Sequence, residues 1–133
     1  MRARLIVAVL IALVGTACGG GEKAQTSSVP RPKSTATVKV VSPVAGDVLD
    51  AGKVNVKLDL QGGRILKKAS RNLTPDSGHL HLFLDGDVVS QTFKLSQSVT
   101  VKPGRHLLMV EFVAADHGSF DPRVLESITF EAK

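Results

Sequence analysis

The sequence predicts an all-β chain folded as a two-layer sandwich of about seven antiparallel strands. Three observations carry this. Segments such as Val54–Leu60 and His79–Leu84 alternate apolar and polar residues with the period of two that a half-buried strand requires. Gly, Pro and Asp-Gly turn signals recur about every eight to twelve residues. Hydrophobic residues make up 43% of the 133, yet aromatics only 4%, with no Trp or Tyr. The core must therefore be built from Val, Leu, Ile and five Phe, side chains that pack well on pleated surfaces.

The first residues stand apart from the domain. Arg2 and Arg4 precede an unbroken apolar run, Leu5 to Val14, followed by the small residues Gly15-Thr16-Ala17. A basic start, a short apolar stretch and small residues before a cut describe a secretory leader over 1–17. The run falls short of the roughly 20 residues that span a bilayer. Val14-Gly15-Thr16-Ala17-Cys18 resembles the lipobox of bacterial lipoproteins, in which the cysteine is acylated and becomes the mature N-terminus. Gly15 stands where that motif usually has Leu. Cys18 is the only cysteine, so no disulfide forms within one chain and stability must come from packing. Residues 18–34 are rich in Gly, Ser, Thr, Pro, Lys and Gln and bury too little apolar surface to order themselves; they are expected to form a disordered tether.

The domain is expected over 35–133. Thr35–Val41 alternates into a first strand, and Ser42-Pro43-Val44-Ala45-Gly46-Asp47 turns. Val48-Leu49 restarts pairing. Val54, Val56, Leu58 and Leu60 alternate with Lys53, Asn55, Lys57 and Asp59, the cleanest amphipathic strand. Gly62-Gly63 ends it. Arg64–Arg71 allows about two helical turns with Ile65, Leu66 and Ala69 inward. His79–Leu84 and Val88–Phe93 flank Asp85-Gly86, a tight-hairpin signal. Ser98–Val101 is a short strand, Pro103-Gly104 fits the middle of a type II turn, and His106–Ala114 is a long apolar strand. Arg123–Glu131 closes the chain.

This order of short strands is that of an immunoglobulin-type β-sandwich. Ser42-Pro43-x-x-Gly46, then Gly78-His79-x-His81-x-x-x-Asp85-Gly86, then Pro103-Gly104-x-His106-x-Leu108-x-Val110, then Asp116-His117, resembles a group of small bacterial lipoprotein domains with an immunoglobulin-like fold. The resemblance covers about residues 37–131. It implies an exported sandwich domain and brings no established activity, because fold alone does not supply one.

Candidate chemistry centres on histidine. Residues two apart on a strand share a face, so His79 and His81 lie roughly 6.6 Å apart at Cα. In an immunoglobulin sandwich the third and sixth strands are antiparallel neighbours. Assigning these to His79–Leu84 and His106–Ala114 brings His79 and His81 toward Asp116 and His117. It leaves His106 near Asp85, roughly 15 to 20 Å away. Two readings of the cluster stand side by side. One is a structural hydrogen-bond network; the other is a Zn or Cu site on His79, His81, His117 and Asp116, since His-x-His on a strand is a frequent ligand pair.

No Gly-x-Ser-x-Gly elbow, phosphate loop, Cys-x-x-Cys or Asp-rich calcium loop is present, and no catalytic residues are assigned. Loss of 1–17 leaves 15 basic and 12 acidic side chains, a mild net +3, partly gathered at Arg64, Lys67, Lys68 and Arg71. Few aromatics, no reading motif and an exported address argue against nucleic acid. The expectation is a lipid-anchored, non-enzymatic module on the extracytoplasmic face of the cell membrane. Its partners would be the membrane, through Cys18, and a protein or cell-wall component. It would need no cofactor. The alternative is an exported Zn- or Cu-binding lipoprotein.

Overall fold

A computed structural model describes residues 30–133. The leader over 1–17, Cys18 and most of the tether lie outside the described residues.

Among the described residues nine strands follow in order: β1 (Thr37–Ser42), β2 (Val48–Leu49), β3 (Gly52–Gln61), β4 (Arg64–Ile65), β5 (Ser77–Leu84), β6 (Asp87–Thr92), β7 (Ser96–Val101), β8 (Gly104–Ala114) and β9 (Ser119–Ala132). Two of them, β2 and β4, are two residues long, which leaves the expected seven principal strands. They form a small sheet, β1-β3-β7, and a large one, β2-β9-β8-β5, in which β4 and β6 share the remaining edge of β5. The principal pairs are antiparallel; the short β2–β9 and β4–β5 pairs are parallel.

The two inner faces supply the core. Val38, Val54, Val56, Leu58, Val99 and Val101 come from the small sheet, and Leu80, Leu82, Leu108, Val110, Phe112 and Phe130 from the large one, all buried. The alternation in β3 and the Leu80-x-Leu82-x-Leu84 pattern in β5 encode these faces directly.

The turns match their chemistry. Asp85 and Gly86 both take positive φ, 54° and 97°, the pair that a two-residue type I′ hairpin demands. Gly104 also has positive φ, after Pro103.

The helix expected over Arg64–Arg71 is not formed. Its backbone groups are drawn to β5 and the 115 turn instead of to one another. Arg64 N–H donates to Asp76 O (2.7 Å), Leu66 N–H to Gly78 O (2.8 Å) and Ser70 N–H to Ala115 O (2.8 Å). No i→i−4 ladder can coexist with these bonds. Ile65 and Leu66 are half-buried, as the helical reading had them, but Ala69 is exposed. After the two residues of β4 the segment is a loop laid over the start of β5.

Composition assigns residues 30–34 to the tether, yet in the fold they are tied to the domain. Asp121 N–H donates to Pro32 O (3.0 Å), and Ser34 Oγ donates to Asp76 (2.7 Å). Asp76, whose φ is 55°, is held below the usual carboxylate range by bonds from Ser34 and then Thr35.

Candidate functional site

β5 and β8 pair antiparallel with Gly78 opposite Ala114, His79 opposite Val113 and His81 opposite Glu111. The first residues of β5 therefore meet the turn that follows β8, and the histidines gather as the topology requires. The His79 and His117 rings stack at 4.7 Å between centroids, and those of His81 and His117 at 5.3 Å. His106 lies at the other end of the sheet, bonded to Asp85 at 2.7 Å.

Alternation alone assigns His79 and His81 to the solvent side of β5. Both are buried, His79 to 1% exposure and His81 to 7%. Three tertiary elements cover that outer face: the 64–76 loop, the 115–118 turn and Phe93, whose ring meets His79 edge-on at 5.2 Å. His79 Nδ1 sits 3.0 Å from Leu66 O, and Nε2 sits 3.2 Å from Ala115 O. It thus fastens the loop and the turn to the strand. A neutral ring has one N–H and donates to one of these carbonyls at a time.

His81 Nε2 lies 3.0 Å from His117 Nδ1, one nitrogen donating and the other accepting. His117 adopts φ of 66°, which swings its ring back over β5. Burial is the main influence holding the His81 imidazole below its ordinary value, with the neighbouring His117 charge next; Glu111 opposes both.

Asp116 joins a different partner. Its carboxylate takes two bonds from the Arg31 guanidinium, at 2.7 and 2.8 Å, which bring its pKa down to about 2. Arg31 Nε also donates to Ser119 O (2.8 Å). Arg31 carries no sequence signal of this role, since it sits in a Pro-x-Pro stretch far from Asp116 in the chain. A Cβ at Gly118 would lie 2.5 Å from the Arg31 guanidinium, so a side chain there would push the flexible end of Arg31 aside.

Glu111 likewise has no sequence signature. It is 3% exposed on the outer face of β8, beside His81. Residues 120–123 bulge out of the β8–β9 register, and Arg123 reaches Glu111 with bonds of 2.9 and 2.6 Å. Burial raises the Glu111 pKa, but the bonds from Arg123 and Ser119 outweigh it and leave the carboxyl below its ordinary range.

Among the described residues no three His, Cys, Asp or Glu side chains are set around one point as metal ligands. As placed, His79 serves carbonyls, Asp116 serves Arg31, Glu111 serves Arg123, and His81 and His117 serve each other. The arrangement can transfer a proton between His81 and His117 and can respond to pH.

The pH response has a definite sign. A folded-state pKa below the ordinary histidine value of roughly 6.5 favours the neutral form. The His81 contribution is therefore present above that value and lost as pH falls through the depressed one. His106 is shifted upward, first by its bond to Asp85 and then by Lys102 O, so its contribution is present below the ordinary value and lost as pH rises. Between pH 8 and 5 the two act oppositely. In melting curves across that range, His81→Gln should make the acid-side loss of stability shallower and His106→Gln should make it steeper.

No family model matches the chain, and no curated protein matches it. Among solved structures, the fibronectin(III)-like modules of CbhA from Clostridium thermocellum share the fold. The match has TM-score 0.53 and 14% identity, and it covers 79% of this chain and 48% of theirs. An engineered protein aligns at TM-score 0.47 and 11% identity, over 74% of this chain and 20% of that one. The chain thus spans about half the length of the first structure it resembles. The likeness to the CbhA modules is one of fold: this domain is an all-β, immunoglobulin-like sandwich.

Proposed function

We propose that the protein is an exported binding or structural module without catalytic activity, held by an acylated Cys18 at the extracytoplasmic face of the cell membrane. The observation that carries this reading is how its polar clusters are closed. Each histidine and each carboxylate of the candidate site is engaged by the domain's own groups. A satisfied network of this kind stiffens a loop-covered sheet end and holds fixed surfaces on either side of it. The partner is a protein or a wall component met through loops or an edge strand. The leader and the lipobox-like Val14–Cys18 support the address.

The test is metabolic labelling with a palmitate analogue. The protein should carry the label and stay with membranes through a wash near 1 M salt, while a Cys18→Ser chain should lose the label and be released by that wash. A Cys18→Ser chain that resists the salt wash with unchanged yield would remove acylation from the account.

One observation favours a second reading, in which the domain holds Zn or Cu. The 3.0 Å separation of His81 Nε2 and His117 Nδ1 is close to that of two nitrogens on one tetrahedral zinc, roughly 3.3 Å for bonds of about 2.0–2.1 Å. A metal would replace the proton they share, with a third donor released from His79 or Asp116. Added Zn or Cu should then raise the melting temperature, and His81→Ala with His117→Ala should abolish the rise; no rise with either metal sinks this reading.

A further inference from the structure

We propose that the end of the sandwich from which residues 1–29 depart is a docking surface for an anionic lipid bilayer. The described chain begins there, with Arg31 over the 115–118 turn. The 64–76 loop is bonded to that same turn through Ser70 and Ala115. It carries Arg64, Lys67, Lys68 and Arg71, all exposed, and none of them forms an ion pair among the described residues. At this end Asp116 is already paired with Arg31, and Asp76 accepts bonds from Ser34 and Thr35. The loop also frames an open groove of about 410 Å³, whose lining includes Arg64, Lys67, Lys68, Ser70 and Asn72. Cations with hydroxyl and amide donors beside them suit a phosphodiester headgroup.

A second feature separates a bilayer from a soluble polyanion. The β6–β7 connection reaches this end, because β6 runs antiparallel to β5 and the Phe93 ring packs on His79. It exposes Phe93 (46%) and Leu95 (41%) on either side of Lys94. Apolar tips beside unpaired cations fit a membrane interface, where the tips enter the acyl boundary and the cations meet headgroups. A dissolved polymer gives such tips nothing to enter.

Chain length agrees. The 12 residue-to-residue steps from Cys18 to Pro30 reach at most about 43 Å when fully extended, so an acylated Cys18 keeps this end within that distance of the lipid. This tethering depends on the anchored reading; the surface chemistry does not.

The test uses the chain from residue 18 onward with Cys18→Ser, which keeps every described contact and removes the leader and the acylation site. It is sedimented with vesicles of one part phosphatidylglycerol to two parts phosphatidylcholine, and with phosphatidylcholine alone. Binding is expected only to the anionic vesicles and should be lost near 1 M salt, where screening acts within about 3 Å. Lys67→Gln with Lys68→Gln should weaken partition roughly thirtyfold, at about 1 kcal/mol per surface cation, and Phe93→Ser should weaken it several-fold. Lys67 and Lys68 are exposed, so unchanged melting curves confirm folding of that variant; Phe93 also packs on His79, so Phe93→Ser is run beside Leu95→Ser at the same tip, and both must still melt cooperatively. Equal binding to neutral vesicles, no binding, or indifference to these substitutions would overturn the proposal. Equal competition by soluble polyphosphate against the parent and Phe93→Ser chains would overturn it in favour of a dissolved polyanion. Vesicle binding without palmitate labelling of the native chain defeats the anchor alone; labelling without vesicle binding defeats this surface alone.

Discussion

Gly78→Ala should abolish or nearly abolish folding, with a loss above about 4 kcal/mol against a total of roughly 5–15 for a domain of this kind. A Cβ at this position would stand 1.7 Å from Val113 O and 2.8 Å from Val113 C. These are backbone atoms of the paired strand, so no side chain can rotate away to make room. Relief requires β5 to separate from β8 at Gly78–Ala114, where the sheet is also fastened to the loop by the Leu66 N–H bond to Gly78 O. Separation would also displace His79 and the two carbonyls it bridges. Gly86→Asn is the control. Gly86 has φ of 97°, and a Cβ added there would meet nothing within 4 Å, so the cost is conformational only, about 1 kcal/mol. Denaturant melts of the two variants check this. A Gly78→Ala chain that melts like Gly86→Asn would mean that the two strands tolerate a wider spacing.

Phe112→Ala should cost about 3–5 kcal/mol and lower the melting temperature by on the order of 15–30 °C. Phe112 is fully buried on the inner face of β8, opposite Leu80 on β5 and Val124 on β9. Its ring stacks on that of Phe120 at 5.3 Å. Phe120 belongs to the 120–123 bulge, and the same bulge delivers Arg123 to Glu111 on the opposite side of the sheet. Removing the ring therefore opens a cavity and loosens the segment that neutralises a buried carboxylate. Phe112→Leu, which keeps most of the volume, should lose less than half as much. Equal losses in the two variants, measured by chemical denaturation, would show that the stacked pair contributes little beyond apolar area.

Much of the architecture is legible from local chemistry. The period-two alternation in β3 and β5, the Asp85-Gly86 hairpin and the Pro103-Gly104 turn each state a backbone conformation within a few residues. Strand order then follows from the general pairing of third and sixth strands in such sandwiches, which is why residue order alone brings His79, His81 and His117 together and keeps His106 apart. The misread helix over Arg64–Arg71 has an equally physical cause. An apolar spacing of three and four is compatible with a helix, but whether its N–H groups bond within the segment or to β5 depends on what lies beside it. Arg31 and Glu111 escape a sequence reading because the meaning of a charge lies in its partner, and their partners, Asp116 and Arg123, are brought near only by the chain's return.

By itself the sequence determined which residues face the core, where the chain reverses and which two strands carry the histidines. These depend on side-chain polarity and backbone preference at neighbouring positions. The tertiary structure alone decided that the histidine face of β5 is covered, that Asp116 belongs to Arg31, and that the exposed cations of the 64–76 loop and exposed Phe93 share one end of the domain. Those outcomes depend on which distant segments compete for the same hydrogen bonds and the same space, and no local pattern records that competition.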